Sequence, residues 1–132
     1  MKYLLDTHVI LWALINDERI NKKTHDLLID PKNEIMYSTV SSWEIALKHS
    51  KKDNFRLSED QFTFLCDQNG LNNLQINNKH VSELKNIKKT KEIKHNDPFD
   101  LMLLAQAISE NAIFITHDKK FKAYGNNNIM LI

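Results

Sequence analysis

Two short runs, Lys2-Tyr3-Leu4-Leu5 and Ala112-Ile113-Phe114-Ile115-Thr116, are apolar on consecutive residues rather than on every second one. A strand with one wet face alternates apolar and polar side chains, so runs of this kind belong to a sheet covered on both sides. Glu34 to Tyr37, a weaker segment Leu71 to Ile76, and Asn128 to Ile132 read as further strands. Helical patterns lie between them. One runs through Val9, Trp12, Ala13 and Ile15, and a second covers about Asn21 to Ile29 and stops at Asp30-Pro31. A third, opened by the hydroxyls of Ser38 and Thr39, carries Val40, Trp43, Glu44 and Leu47. Ser58-Glu59-Asp60-Gln61 has capping-box spacing for a helix that ends at Gly70, and another is expected around Lys79 to Ile87. Asn96-Asp97-Pro98 is the sharpest start signal, a capping acid followed by proline at the first helical position, and its helix continues through Ile108. Strands alternating with helices give an α/β sandwich around a parallel sheet, in which ligands gather at the carboxyl ends of the strands.

At 132 residues the chain suits one domain spanning 1–132, with no repeat and no Gly/Ser linker to divide it. A single cysteine, Cys66, excludes an intrachain disulfide, and its apolar-periodic setting reads as core. The apolar start, Met1 to Ile15, is interrupted by Asp6 and His8 and lacks a small-residue cleavage site, so it is not read as a signal peptide. No run approaches the roughly 20 apolar residues that span a bilayer. A cytoplasmic protein without a membrane partner is the expectation.

Several acids occupy positions that the topology brings to one edge. Asp6 follows the first strand directly, and Asp118 lies two residues beyond Thr116, past the Ile113–Ile115 run. Asp97 and Asp100 open a helix whose amino end faces the same edge. Glu44 shares the expected inward stripe with Val40, Trp43 and Leu47. Each has an ordinary alternative: Asp6, Asp97 and Asp118 as helix caps, Asp100 as an acid favoured by the helix dipole, and Glu44 paired with Lys48 on a solvated face. Those alternatives give no common reason for the acids to meet. Clustered carboxylates repel one another unless a cation sits among them. Hard ions such as Mg²⁺ or Mn²⁺ prefer oxygen donors, and one ion, or two about 3.5–4 Å apart, supports in-line attack on a phosphodiester.

Charge agrees with a polyanionic substrate. The chain carries 18 basic and 17 acidic residues, a net +1; without acids 6, 44, 97, 100 and 118 it holds 12 acidic residues against 18 basic ones. Segment 79–95 contains Lys79, Lys85, Lys88, Lys89, Lys91 and Lys94 against Glu83 and Glu92, and Lys48, Lys51 and Lys52 form a second basic group. Such runs are either solvated faces or, around an acidic metal pocket, contacts for phosphates; Lys48, Lys88, Lys89, Lys91 and Lys94 are the candidates for holding an RNA backbone.

Four stretches then resemble a known family in the order it uses them. Leu4-Leu5-Asp6-Thr7-His8-Val9-Ile10-Leu11-Trp12 resembles the opening motif of PIN domains of the VapC-like toxin type. Ser41-Ser42-Trp43-Glu44-Ile45-Ala46 resembles the second, Asp97-Pro98-Phe99-Asp100 with Leu103-Leu104-Ala105-Gln106-Ala107 the third, and Thr116-His117-Asp118 the fourth. Any one is weak, but four in order across nearly the whole chain are specific. The resemblance implies a Rossmann-like three-layer sandwich and a catalytic, metal-binding set of Asp6, Glu44, Asp100 and Asp118, with Asp97 an additional acid close by. It also implies Mg²⁺ or Mn²⁺ dependence, RNA cleavage, frequent homodimers and inhibition by a cognate antitoxin. Thr7 and Thr116 are supporting hydroxyls that orient carboxylates or water, or else structural strand ends. His8 and His117 flank two of the acids and read first as helix-start and loop residues, second as substrate contacts. Leu101 departs from the pattern, since many relatives place a basic residue there. Trp12 and Phe62 are the apolar positions expected to be exposed and to support a dimer.

Other classes fare worse. A haloacid-dehalogenase-type phosphohydrolase needs a second acid two residues after Asp6, where His8 stands. No nucleophile-elbow glycines support a serine or cysteine hydrolase. A PIN fold kept as a non-catalytic binding module would tolerate loss of one of the four acids, and all four are present. A housekeeping RNA-processing nuclease would share the whole site.

Overall fold

The computed structural model describes residues 1–50, 56–87, 97–125 and 128–132. Its order is β1 (Lys2–Leu5), α1 (Thr7–Leu14), α2 (Lys22–Ile29), β2 (Glu34–Ser38), α3 (Thr39–Ser50), α4 (Glu59–Gln68), β3 (Asn72–Leu74), α5 (Asn78–Glu83), α6 (Pro98–Ser109), β4 (Ile113–Thr116) and β5 (Ile129–Leu131). Short 3₁₀ turns cover Leu84–Asn86 and Lys119–Tyr124. The five strands form one parallel sheet in the order β3-β2-β1-β4-β5. The chain thus moves from β1 out to β3, returns across the sheet, and finishes on the other side of β1. The expected α/β three-layer sandwich is the observed fold.

Strand geometry explains why the apolar runs lack alternation. Successive side chains point to opposite faces, so Tyr3 and Leu5 enter one core while Leu4 enters the other. Ile35 and Tyr37 divide from Met36 in the same way, as does Ile115 from Phe114. The first core packs against α1 and α4 through Val9, Ile10, Phe62 and Cys66. The second packs against α6 through Leu103, Leu104 and Ala107, with Phe114 edge-on to Phe121 at 5.0 Å. Helix α3 reaches both, sending Val40 to one and Ile45 to the other.

Three expectations change. The strand expected over Leu71 to Ile76 shrinks to Asn72–Leu74, because an asparagine-rich edge strand pairs with β2 alone and has little apolar surface to bury. The helix expected over Lys79 to Ile87 gives way after Glu83 to the 3₁₀ turn. Phe62 is fully buried rather than exposed, since α4 turns that face onto β2.

Helix α4 begins where the capping spacing put it. Ser58 Oγ accepts from the Gln61 N–H at 3.2 Å, and Gln61 Oε1 accepts from the Ser58 N–H at 3.0 Å. Gly70 adopts φ +77°, a left-handed conformation that a side chain would strain, and turns the chain into β3. Ser58→Ala is expected to lose about 1 kcal/mol of stability in urea unfolding by removing one of these two bonds; an unchanged midpoint would show that the box contributes nothing here.

Candidate metal centre

Asp6 stands at the carboxyl end of β1, where its N–H donates to the Ile115 carbonyl of β4 at 2.9 Å. Its Oδ1 caps α1 by accepting from the Thr7 N–H at 2.8 Å, and its Oδ2 accepts from Thr116 Oγ1 at 2.6 Å. The same Thr116 hydroxyl accepts from the Asp118 N–H at 3.1 Å, so one side chain fixes two of the acids. Asp118 in turn caps the Lys119–Tyr124 turn through the Lys120 N–H.

Asp97 caps α6, with Oδ1 accepting from the N–H groups of Phe99 at 2.9 Å and Asp100 at 3.3 Å. Asp100 sits in the first turn of that helix, where the positive end of the peptide dipole favours a carboxylate. Glu44, on α3, is buried at 5% exposure and pairs with Lys48 Nζ at 2.8 Å. The i, i+4 pair considered from the sequence therefore exists, but on an inward face. Trp43 and Leu47 do not share that face: they are 51% and 42% exposed, while Val40, Ser41, Glu44 and Ile45 are buried. The helix is turned about one position from the expected stripe, leaving Trp43 edge-on to Phe99 at 4.8 Å.

Two ties that the sequence did not suggest hold α3 in this rotation. Thr7 Oγ1 and Ser41 Oγ hydrogen-bond at 2.8 Å, joining the start of α1 to the turn before Glu44. Ser38 Oγ, the capping hydroxyl expected at the start of α3, accepts from the Val40 N–H at 2.9 Å, and it also bonds to the side chain of Gln106 on α6, which was not expected. Gln106 also meets Nδ1 of the fully buried His80, whose Nε2 lies 3.0 Å from Glu110. The only sequence signal for these ties is a hydroxyl or amide beside an apolar run, which is too common to single out.

Asp6, Glu44, Asp97, Asp100 and Asp118 line one open pocket of about 320 Å³, together with His8, Trp12, Lys48, His117 and Lys120. Every acid singled out from the sequence is present in it. Thr7 and Thr116 stand behind the acids as their supports, and Lys48 lies inside. Lys88, Lys89, Lys91 and Lys94 lie outside the described residues, as do Lys51 and Lys52. A larger cleft of about 740 Å³, lined by parts of α1, α2 and the amino ends of β2 and β3, contains none of the five acids. Chemistry rather than volume marks the smaller one.

Burial raises the Asp6 pKa above its ordinary value; hydrogen bonds from Thr116 and Thr7 pull it down, and the charge of Glu44 pushes it up again. The phenol of Tyr124 is likewise pushed up, first by burial and then by Asp100 and Asp118. Burial is the larger cause in both cases, and the neighbouring carboxylates add to it in the same direction, as negative charges held close together do. Among the described residues no group of three or more His, Cys, Asp or Glu side chains closes a metal shell in the positions seen. An open set of carboxylates suits a hard divalent ion that keeps several waters. The caps at Asp97 and Asp118 each engage one carboxylate oxygen and leave the other for such an ion. Cys66 offers no competing nucleophile: it is fully buried, and burial pushes its thiol up to about 12.

The model of the PIN domain family matches residues 3–127. The chain belongs to that family. PIN domains are nucleases as a family and generally use divalent metal ions. This PIN domain has the backbone fold of chains in several solved complexes. A chain of VapBC2 from Rickettsia felis, bound to a DNA fragment from its promoter, superposes with TM-score 0.69 at 22% identity, over 100% of this chain and 98% of that one. VapBC-1 from nontypeable Haemophilus influenzae gives 0.72 at 23%, over 99% and 98%. A toxin–antitoxin complex from Klebsiella pneumoniae gives 0.62 at 23%, over 97% and 95%. No curated protein matches the sequence of this PIN domain significantly. Among its described residues no helix is long and apolar enough to cross a membrane.

Proposed function

We propose that this PIN domain is a divalent-metal-dependent endoribonuclease, the toxin component of a type II toxin–antitoxin pair, which hydrolyses RNA phosphodiesters with water as the nucleophile. The observation that carries the reading is the meeting of five carboxylates from distant parts of the chain in one pocket. Asp6, Glu44, Asp100 and Asp118 would hold one or two Mg²⁺ or Mn²⁺ ions, with Asp97 beside them. Such an ion, when bound, lowers the pKa of water and offsets charge on the phosphodiester. Lys48 and Lys120 supply positive charge at the same pocket for the RNA backbone. An antitoxin partner is supported by the likeness to chains of the VapBC complexes. The exposed apolar residues Ile15, Ile29 and Phe64 are available for self-association, in place of the buried Phe62.

The purified protein should cut a structured RNA pool with Mg²⁺ or Mn²⁺ and stop when a chelator is added. Glu44→Gln should reduce the rate by more than about tenfold, since even groups that only orient metal ligands contribute about 10–100-fold. Folded protein that cuts nothing with either ion would leave the non-catalytic binding module as the better reading. Active protein whose expression leaves growth unaffected would point to housekeeping RNA processing.

A further inference from the structure

The carboxylates and lysines of the pocket account for a metal and a phosphate but not for the aromatic rings at its rim. Trp12 belongs to α1, yet it takes no place in the core that its neighbours Leu11 and Leu14 pack against; it is half-buried and lines the pocket with Asp6 and Asp118. His117 lines it too, its ring 5.1 Å from the indole at an interplanar angle of 82°. The two rings make a corner, with His8 tilted against Trp12 at 6.1 Å.

Both rings of the corner are braced. His117 donates from Nδ1 to the main-chain oxygen of Ile132 at 2.6 Å, and the Ile132 N–H returns to the Thr116 carbonyl at 3.0 Å. The Arg19 guanidinium lies 4.7 Å from the centre of the Trp12 ring and is itself 3.5 Å from Asp17, whose N–H bonds to the Trp12 carbonyl at 2.9 Å. Arg19 does not line the pocket, so it supports the indole from outside. A preorganised aromatic surface beside a phosphate-handling pocket is what an unpaired base stacks on, whatever its sequence.

We propose that Trp12 and His117 form a nucleobase subsite, stacking an unpaired base of the RNA next to the phosphodiester at the carboxylates. The inference rests on the nuclease reading and adds the group that positions the strand. Its test uses protein carrying Asp6→Asn and Trp43→Phe, which cannot consume the RNA by the proposed chemistry and keeps Trp12 as its only tryptophan. Titration with a mixed-sequence single-stranded RNA hexamer in Mg²⁺ should quench the Trp12 fluorescence. Adding Trp12→Leu should weaken binding, followed by the anisotropy of a labelled hexamer, by roughly ten- to a hundredfold, while Trp12→Phe should retain most of the affinity. In the unmodified protein, a single abasic position in an otherwise normal substrate should depress cleavage at the adjacent bond. Cleavage indifferent to abasic positions, together with Trp12→Leu binding as its parent does, would overturn the subsite and leave the nuclease standing. Hexamer quenching without any cleavage by the unmodified protein would overturn the nuclease reading instead.

Discussion

Asp6→Asn is expected to abolish metal-dependent RNA cleavage and at the same time to raise the melting temperature of the metal-free protein. The activity loss should exceed about a hundredfold, because groups that merely orient metal ligands already contribute about 10–100-fold. The stability gain follows from the direction of the Asp6 pKa. Burial holds it above the ordinary carboxylate value, with Glu44 adding to the rise and Thr116 and Thr7 only partly offsetting it. An acid with a higher pKa folded than unfolded keeps its proton longer in the native state. Native stability therefore falls as pH rises from the unfolded value through the folded one, and stays at the lower level above both. Asparagine can accept from the Thr7 N–H and donate to Thr116 Oγ1, so it keeps both contacts without the charge, although the second is reversed and the Thr116 hydroxyl proton gives up its acceptor, which offsets part of the gain. The advantage of the variant should be present at neutral pH and disappear as pH falls below the ordinary carboxylate range. Added Mg²⁺ should stabilise the unmodified protein more than the variant, since binding to the native state shifts the folding equilibrium by mass action. Thermal melts in chelator at several pH values, repeated with Mg²⁺, test this; a variant less stable than its parent at neutral pH would show that Asp6 serves the fold rather than the metal.

The legible part of this site was its chain position relative to strand ends. Asp6 and Asp118 could be placed because β1 and β4 are apolar throughout and pair in parallel, which puts their following residues on one edge. Asp97 and Asp100 could be placed because proline at the first helical position fixes where α6 begins. The capping reading of these acids does not compete with a shared site: Asp6, Asp97 and Asp118 are caps, and all three line the pocket. Helix rotation was less legible. Val40, Trp43, Glu44 and Leu47 satisfy a helical stripe, and so do Val40, Ser41, Glu44 and Ile45. The choice is made by long-range bonds, Ser41 to Thr7 and Ser38 to Gln106, across 34 and 68 residues of chain. A hydroxyl facing inward loses its water unless it finds a partner, so these small polar residues constrain rotation despite their low hydrophobicity.

The same ambiguity of phase in α4 leads to a large predicted contrast between two phenylalanines. Phe62→Ala should cost about 3–5 kcal/mol, whereas Phe64→Ala should change stability by no more than about 0.5 kcal/mol. Both lie in the run Phe62-Thr63-Phe64-Leu65-Cys66, two residues apart and hence on nearly opposite sides of a helix. Local hydrophobicity is similar in either phase. Packing separates them: Phe62 is fully buried with Cys66 one turn later, while Phe64 is 62% exposed. Tyr37 of β2 supplies the decisive partner. Its ring stands at 90° to Phe62 with centres 5.9 Å apart, and its hydroxyl donates to Asp67 Oδ1 at 3.0 Å, so one strand residue grips α4 at two points. Removing Phe62 empties that junction, and a loss of this size is a substantial part of the roughly 5–15 kcal/mol that stabilises a typical domain. Urea unfolding of the two variants measures the difference directly. Similar costs at both positions would mean that Phe64 is also covered in solution, and an elution volume that shifts towards monomer in Phe64→Ala would identify the cover as a second copy of the chain.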